Sequence, residues 1–200
     1  DIDVGMGNLA IDTLSGGETM LATGALEYLE RQGPPTQSVD MSNGRATLTV
    51  KSQGMGKPTF RLPWAACNQA FAWSLHLNRD VRAELTARSG GGNIKLHLEG
   101  MKLSRLSAQT GGGNVEVTLP DGGSDVAVVL RTGAGNVNVS VPEDAAVRVR
   151  ATSGLGKVIV DPQWIKMDDQ TYQSPDYEGA ASKYDITAQS GAGNVVISDR

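Results

Sequence analysis

The sequence predicts an all-β chain that folds as a solenoid of stacked coils, and three observations carry this prediction. A Gly-x-Gly tripeptide recurs at an almost constant spacing, since 21, 22 and 21 residues separate Gly90, Gly111, Gly133 and Gly154. The same polar residue types flank each tripeptide, and apolar residues fall at every second position on both sides of it. A fixed period in this range is the mark of a repeat architecture.

The flanking residues define one corner that five coils share. We expect its glycines to supply positive φ at a tight bend, and its polar side chains to satisfy backbone groups there. A dinucleotide-binding loop is excluded, because the third glycine is missing and a strand rather than a helix follows. Ser or Thr precedes the first glycine at Ser89, Thr110, Thr132, Ser153 and Ser190, and Asn follows the second at Asn93, Asn114, Asn136 and Asn194, with Lys157 as the substitute.

The apolar alternation around each corner is typical of strands with one buried face. Coils stacked in parallel at about 4.8 Å would bury a continuous interior. The alternative is an antiparallel meander in which each corner is an ordinary reverse turn. Identical corners at constant period favour stacking, because their asparagines can then form a ladder. The predicted core comprises Leu85, Ala87, Ile94, Leu96, Leu106, Ala108, Val115, Val117, Val128, Leu130, Val137, Val139, Val149, Ala151, Val158, Val160, Ile186, Ala188, Val195 and Ile197.

Residues 1–60 are predicted to form an N-terminal β module that caps or extends a solenoid domain of residues 61–200. The corner recurs at Gly5, whereas Pro58 stands where a strand should begin after the next one. Asn43-Gly44 ahead of alternating apolar residues predicts a β-hairpin. Residues 19–31 fit either a short helix or a strand bent at Gly24, and we leave both open.

An insertion at about 161–183 lengthens the spacing from Gly154 to Gly191 to 37 residues, which is 16 more than a 21-residue coil. Aromatic rings beside carboxylates can hold a sugar or a peptide. The candidate ligand contacts are therefore Trp164, Tyr172, Tyr177 and Tyr184. The alternative, which we favour, is a loop that folds back over an exposed edge or end of the solenoid.

Composition and spacing argue against several functions. The net charge of −4 comes with scattered basic residues, so nucleic acid is not an expected partner. Neither His76 nor His97 lies in a spacing that metals use. No nucleophile elbow occurs and the adjacent carboxylates Asp168 and Asp169 do not make a facing pair. We predict a protein that is not an enzyme, with no catalytic residue, metal or other cofactor.

Two further expectations concern single features of the chain. Cys67 is expected to be a buried, inert thiol beside Trp64, Phe71 and Trp73. No stretch reaches the roughly 18 apolar residues of a membrane span, and the chain starts at Asp1 rather than Met. We expect that a signal peptide or membrane anchor has been removed upstream, so that membrane contact arises only through a segment outside these residues.

The ordered series SGGGNIKLHL, TGGGNVEVTL, TGAGNVNVSV, SGLGKVIV and SGAGNVVI, together with GMGNLAI, ALEYL and RATLTV, resembles the toast-rack proteins. This family includes bacterial adhesin candidates and C-terminal extracytoplasmic domains of cell-envelope stress regulators. The resemblance implies a right-handed single-stranded β-helix, a separate N-terminal module and a location outside the cytoplasmic membrane. It carries over no catalytic residue. Pro58 and Lys157 depart from the family pattern.

Three functions of different classes follow. The first is a non-enzymatic extracytoplasmic scaffold or sensor domain of the bacterial cell envelope, which contacts an envelope protein or associates with itself. The second is a carbohydrate-binding adhesin that uses the aromatic insertion 161–184 to hold a cell-surface glycan. A third, a polysaccharide-cleaving enzyme, would require two carboxyl groups facing each other across a groove. The adhesin hypothesis also draws on a polar stripe of Thr86, Ser107, Gln109, Thr187 and Gln189.

Overall fold

The computed structural model describes residues 1–30, 33–53, 71–121, 125–180 and 182–200, and no α-helix occurs in these ranges. The described chain forms two sheets, whose strands are numbered along the sequence. Sheet 1 has ten strands in the spatial order β15 (Ile165–Lys166), β16 (Thr171–Gln173), β13 (Ala146–Leu155), β17 (Lys183–Ala192), β11 (Val126–Ala134), β9 (Leu103–Gly112), β7 (Ala83–Ser89), β1 (Ile2–Asp3), β5 (Arg45–Lys51) and β4 (Thr36–Ser42). Sheet 2 has eight, in the order β14 (Val158–Val160), β18 (Val195–Asp199), β12 (Val137–Val141), β10 (Val115–Thr118), β8 (Ile94–His97), β2 (Asn8–Thr13), β6 (Ala72–Leu77) and β3 (Ala22–Leu26).

Each coil consists of a strand of sheet 1, a Gly-x-Gly corner and a strand of sheet 2. Neighbouring coils pair in parallel and in register, as where Val115 of β10 lies opposite Ile94 of β8 and Val137 of β12. Corners therefore lie against corners, and the antiparallel meander is excluded for the repeats. The right-handed sense of the coils stays a prediction.

The spatial order of the coils differs from their order in sequence. The last coil, β17–β18, lies between β11–β12 and β13–β14. At the other side of the stack, β1–β2 lies between β7–β8 and the pair β5 and β6. The insertion after β14 is long because the chain must leave the end of the stack and return one coil further in.

The first 51 residues contribute strands to the same two sheets as the repeats. The predicted hairpin is confirmed, since β4 and β5 pair antiparallel around Asn43 and Gly44, both at positive φ. Residues 22–26 form a strand, so the strand alternative for this stretch is correct. Pro58, Cys67 and the boundary near residue 60 lie outside the described residues, and the division into two domains stays a prediction.

The predicted core is confirmed with two partial exceptions. The alternating residues of both sheets point into one shared interior, and all of those predicted are buried except Val158 and Val160. These two valines of β14 are half-buried and pack against the core. Because β14 is the edge strand of sheet 2, no further coil covers their outer side.

The two glycines of each corner are required for different reasons. In the five repeat corners only the second takes positive φ, as at Gly113 with φ 129°, whereas in the N-terminal corner both Gly5 and Gly7 do. The first glycine of a repeat corner has an ordinary φ, but a Cβ on Gly111 would collide with the carbonyl oxygen of Gly90 in the adjacent coil. The residue between them points outward and is free to vary, so that Leu155 is 77% exposed there. The prediction of positive φ is therefore right for the second glycine alone in the repeat corners and for both glycines in the N-terminal corner.

Two polar ladders join the corners, as predicted. In the first, each Ser or Thr hydroxyl donates to the second glycine's carbonyl in the adjacent coil, for example Thr132 to Gly113 at 2.8 Å. In the second, each Asn side-chain oxygen accepts the backbone N–H of the next coil, and the row ends where Lys157 N–H donates to Asn194 at 2.9 Å. Lys157 belongs to the terminal coil and has no following coil to bond, so an amide is not needed there. The Asn bonds run from Asn8 to Asn93, Asn114, Asn136 and Asn194.

Candidate interaction surfaces

A shallow groove of about 810 Å³ crosses the outer face of sheet 1 beside the corners. First-position glycines of four corners line it. Polar residues in one register form a row along the groove, one per strand at about 4.8 Å. Within it Arg131 donates from Nε to Gln189 Oε1 at 3.0 Å. The row is Asp3, Arg88, Gln109, Arg131, Gln189 and Thr152.

The outer face of sheet 1 also concentrates positive charge. Of the eleven arginines in the sequence, six lie on its strands with their side chains outward. Two of these form ion pairs, Arg45 with Glu84 and Arg148 with Glu178, both at 2.9 Å. Among the described residues the other four have no carboxylate partner within the ion-pair distance. They are Arg88, Arg105, Arg131 and Arg150.

The insertion covers the edge of sheet 1 at one end of the stack. Its strand β16 pairs antiparallel with β13, and β15 pairs with β16. This is the covering loop that we favoured from the sequence. It satisfies backbone groups of β13 that would otherwise form an open edge.

The four aromatic residues proposed as ligand contacts contribute to this cover and to the core. Trp164, Tyr177 and Tyr184 are 7%, 5% and 2% exposed, and Tyr172 is half-buried against the core. The hydroxyl of Tyr184 donates to the carbonyl of Pro120. Little of these rings is open to solvent, and their contact with a ligand stays a prediction.

Tyr177 fastens the insertion to two coils at once. Its ring lies under the Arg148 guanidinium, 4.2 Å from the ring centroid, and its hydroxyl donates to Asp185 Oδ1 at 2.7 Å. Arg148 also donates twice to Gln173 Oε1 of the insertion, at 3.0 and 2.9 Å. Burial, followed by the hydrogen bond and the negative charge of Asp185, raises the pKa of Tyr177 to about 12. The phenol is therefore held neutral and donating.

One end of the stack exposes apolar side chains beside an uncovered strand edge. The strand β14 forms the edge of sheet 2, whereas β13 in the same coil is covered by the insertion. Ile159 of β14 is 49% exposed. Leu155, Ile165 and Met167 at the same end are 77%, 52% and 57% exposed. An apolar group next to free backbone groups is typical of a contact surface.

One of the two histidines lies opposite an acidic residue, which the spacing in the sequence did not reveal. His76 of β6 lies opposite Asp12 of β2 in the outer row of sheet 2. Within the described ranges, however, no three His, Cys, Asp or Glu side chains are grouped so that they could hold a metal ion.

Comparison with protein families identifies the repeat. The family model described as the N-terminal domain of toast_rack, DUF2154, matches residues 1–140, and that described as cell wall-active antibiotics response LiaF, C-terminal, matches residues 92–197. The chain belongs to the toast-rack family. Both matches include residues 92–140, which contain β8, β9, β10 and β11.

A solved structure supports the fold of this toast-rack chain. A "putative cell adhesion protein" from Clostridium sporogenes superposes with a TM-score of 0.87, covers 100% of this chain and 92% of its own, and is 22% identical. At this identity the likeness establishes the fold. None of the curated proteins matches the chain in sequence. In the described part of the toast-rack chain, no helix has the length and apolar character needed to cross a membrane.

Two residues of the polar stripe predicted from the sequence lie in the groove, whereas its arginines were not predicted. Gln109 and Gln189 of the predicted stripe lie in the same row as Arg88 and Arg131. The signal was present in the repeat, because these four residues stand one position before the corner Ser or Thr.

Proposed function

We propose that this chain is an extracytoplasmic domain of the bacterial cell envelope that works through protein contacts and not by catalysis. The observation that carries the proposal is the match of residues 92–197 to a family described by its response to cell wall-active antibiotics. The uncovered end at β14 supports it, because a stack of coils offers a partner a ready strand edge. Location outside the cytoplasmic membrane and attachment through a further segment belong to the same proposal.

Protease accessibility in living cells tests the location. An epitope tag inserted at Gly44 is expected to be tolerated. This glycine lies in an exposed hairpin turn, and no atom lies within 4 Å of the position that a Cβ would take there. Protease added to intact spheroplasts should remove the tag from the full-length gene product while a cytosolic control protein survives. Digestion only after lysis would contradict the proposed location. Cross-linking in the same cells should then capture an envelope protein or a second copy.

A second function, binding of an anionic envelope glycan, is favoured by the groove on sheet 1. Its arginines Arg88 and Arg131 lie two strands apart, about 10 Å, and have no carboxylate partner in the described chain. A linear polymer with regularly spaced negative groups would fit such a row. This would place the carbohydrate site beside the corners, where Gln109 and Gln189 of the predicted polar stripe lie, and not at the aromatic insertion.

Affinity electrophoresis in gels that contain wall polysaccharide separates the two locations. Arg88→Gln and Arg131→Gln should each weaken retardation several-fold, and the effect should shrink at high salt. Arg45→Gln is the matched control, because Arg45 is already paired with Glu84. If Tyr177→Ala abolishes retardation and the arginine variants do not, the insertion is the site. If no variant changes retardation, the glycan function is wrong.

A further inference from the structure

We propose that two copies of this chain pair through their β14 edges, antiparallel and about a twofold axis at Ile159, so that sheet 2 continues from one copy into the other. The inference rests on the proposed function, since it names a second copy as one protein partner. Backbone direction, sequence symmetry and burial each support it.

The backbone of β14 has free groups on its outer side. The carbonyl of Lys157 accepts the Val195 N–H of β18 at 2.9 Å, so the backbone groups of Lys157 point along the sheet toward β18. Because these groups alternate in direction along a strand, Ile159 also points to β18, and Val158 and Val160 point away. Within the described chain, no backbone hydrogen bond reaches Val158 or Val160 from that outer side.

The sequence of this edge complements itself in antiparallel pairing. Residues 157–161 read Lys-Val-Ile-Val-Asp, so a twofold axis at Ile159 places it opposite the partner's Ile159. Val158 then stands opposite the partner's Val160, and the two such pairs exchange four N–H···O bonds. Lys157 stands opposite the partner's Asp161 on the same outer face, again twice. Opposite charges in directly facing positions stabilise an antiparallel pair.

Burial at this end fits the same partner. Val158 and Val160 are the only predicted core residues that the chain leaves half-buried. Ile159, 49% exposed on the other face, would be covered by its own counterpart. The long edge strand β4 lacks this symmetry, because pairing centred on its Val39 would place Ser38 opposite Asp40. The three-residue edge is small for a stable interface, so we expect a dimer that dissociates on dilution.

Sedimentation velocity over a wide dilution series tests the pairing. The wild-type chain should pass from monomer to dimer, and Ile159→Lys should raise the dimer dissociation constant about tenfold or more, because like charges would then face each other. Val39→Lys, at an exposed position of the opposite edge strand, is the matched control and should leave the dimer unchanged. Lys157→Asp should weaken the dimer, and the swap Lys157→Asp with Asp161→Lys should restore it. Thermal unfolding of each variant checks that it still folds. This control is needed because Asp161 also accepts a hydrogen bond from the Gln163 N–H within the chain.

A cysteine at the axis tests the register. In a Cys67→Ser background, Ile159→Cys should form a disulfide between chains, because facing residues of a non-hydrogen-bonded antiparallel pair have Cα atoms about 4.5 Å apart. Val39→Cys should not. A wild-type chain that stays monomeric at every concentration, or a dimer that Ile159→Lys leaves intact, would overturn the inference. If the monomeric chain still captures envelope proteins in cells, the proposed function survives while the self-pairing fails.

Discussion

The interior coil β11–β12 and the end coil β13–β14 are built from one repeat and meet different surroundings. The interior coil has a coil on each side, β9–β10 and β17–β18. The end coil has β17–β18 on one side, and on the other only the insertion strands against its sheet 1 half. Equivalent positions in the two coils therefore have different neighbours and make different packing contacts.

Two positions illustrate the difference. Val139 in the interior is 2% exposed, whereas Val160, in the same row of sheet 2, is half-buried. Asn136 bonds the backbone of the following coil, whereas Lys157 at the equivalent corner position has no following coil. The identity of a residue in this repeat is thus set by its neighbour in the stack as much as by its place in the coil.

The largest effect is expected at a corner glycine of the interior. Gly113→Ala places a Cβ against the carbonyl of Gly92 at a φ of 129°, so backbone of two coils must separate. We expect a loss of about 3–5 kcal/mol in the free energy of unfolding, measured in urea. Gly112→Ala is the matched control, because nothing lies within 4 Å of its Cβ and its φ is ordinary. Equal stability of the two variants would refute the close-approach explanation.

Truncation of valines in the core row of sheet 2 should cost more stability in the interior coil than in the end coil. Val139→Ala is expected to cost about 2 kcal/mol, because it leaves a cavity between packed coils, and Val160→Ala about 1 kcal/mol. Urea unfolding of both variants at low protein concentration makes the comparison. If Val160→Ala costs as much as Val139→Ala, the end coil is as fully packed as the interior one.

The asparagine ladder should show the same asymmetry at smaller size. Asn136→Ala removes the acceptor of the Asn194 N–H and should cost about 1 kcal/mol. Lys157→Ala should leave the stability of the monomer nearly unchanged, because only the backbone of Lys157 takes part in the ladder. Native-state hydrogen exchange at the Asn194 amide gives a direct measurement. Unchanged protection in Asn136→Ala would mean that water replaces the ladder bond.

Local patterns made the coils predictable from sequence, and the lack of distinguishing features made their order unpredictable. Alternation reveals which side chains of β9 or β12 face inward, and Asn43-Gly44 specifies its hairpin without reference to the rest of the chain. Most corners, however, present the same kinds of side chain to their neighbours, so the corner motif alone does not specify the order of the coils. The only sequence signal of the changed order was the 37-residue spacing from Gly154 to Gly191, which precedes the return of β17–β18 into the stack. This spacing indicated additional residues but not the path that they follow.

The interaction surfaces were less predictable from the sequence than the coils, because they too depend on which strands are neighbours. The row with Gln109 and Gln189 follows from the repeat, but an arginine without a carboxylate partner is recognised only when neighbouring strands are known. Aromatic residues beside carboxylates in the insertion suggested a ligand site. The same rings also lower the free energy of the folded state when they pack into an apolar core, as Trp164 and Tyr184 do. Sequence alone does not distinguish these two uses.

The last prediction concerns Tyr177, which fastens the insertion at the end coil. Its folded-state pKa of about 12 lies above the ordinary value of 10.0, so between these values the folded state binds a proton that the unfolded state has lost. The stabilisation is complete below about pH 10 and is lost as pH rises toward 12. Tyr177→Phe should cost about 1 kcal/mol at neutral pH, since it removes the bond to Asp185. The free energy of unfolding, measured from pH 9 to 11.5, should then fall less steeply with pH in the variant than in the wild type. The same slope in both proteins would show that Tyr177 does not fasten the cover through its hydroxyl, and that the Arg148 contact with its ring suffices.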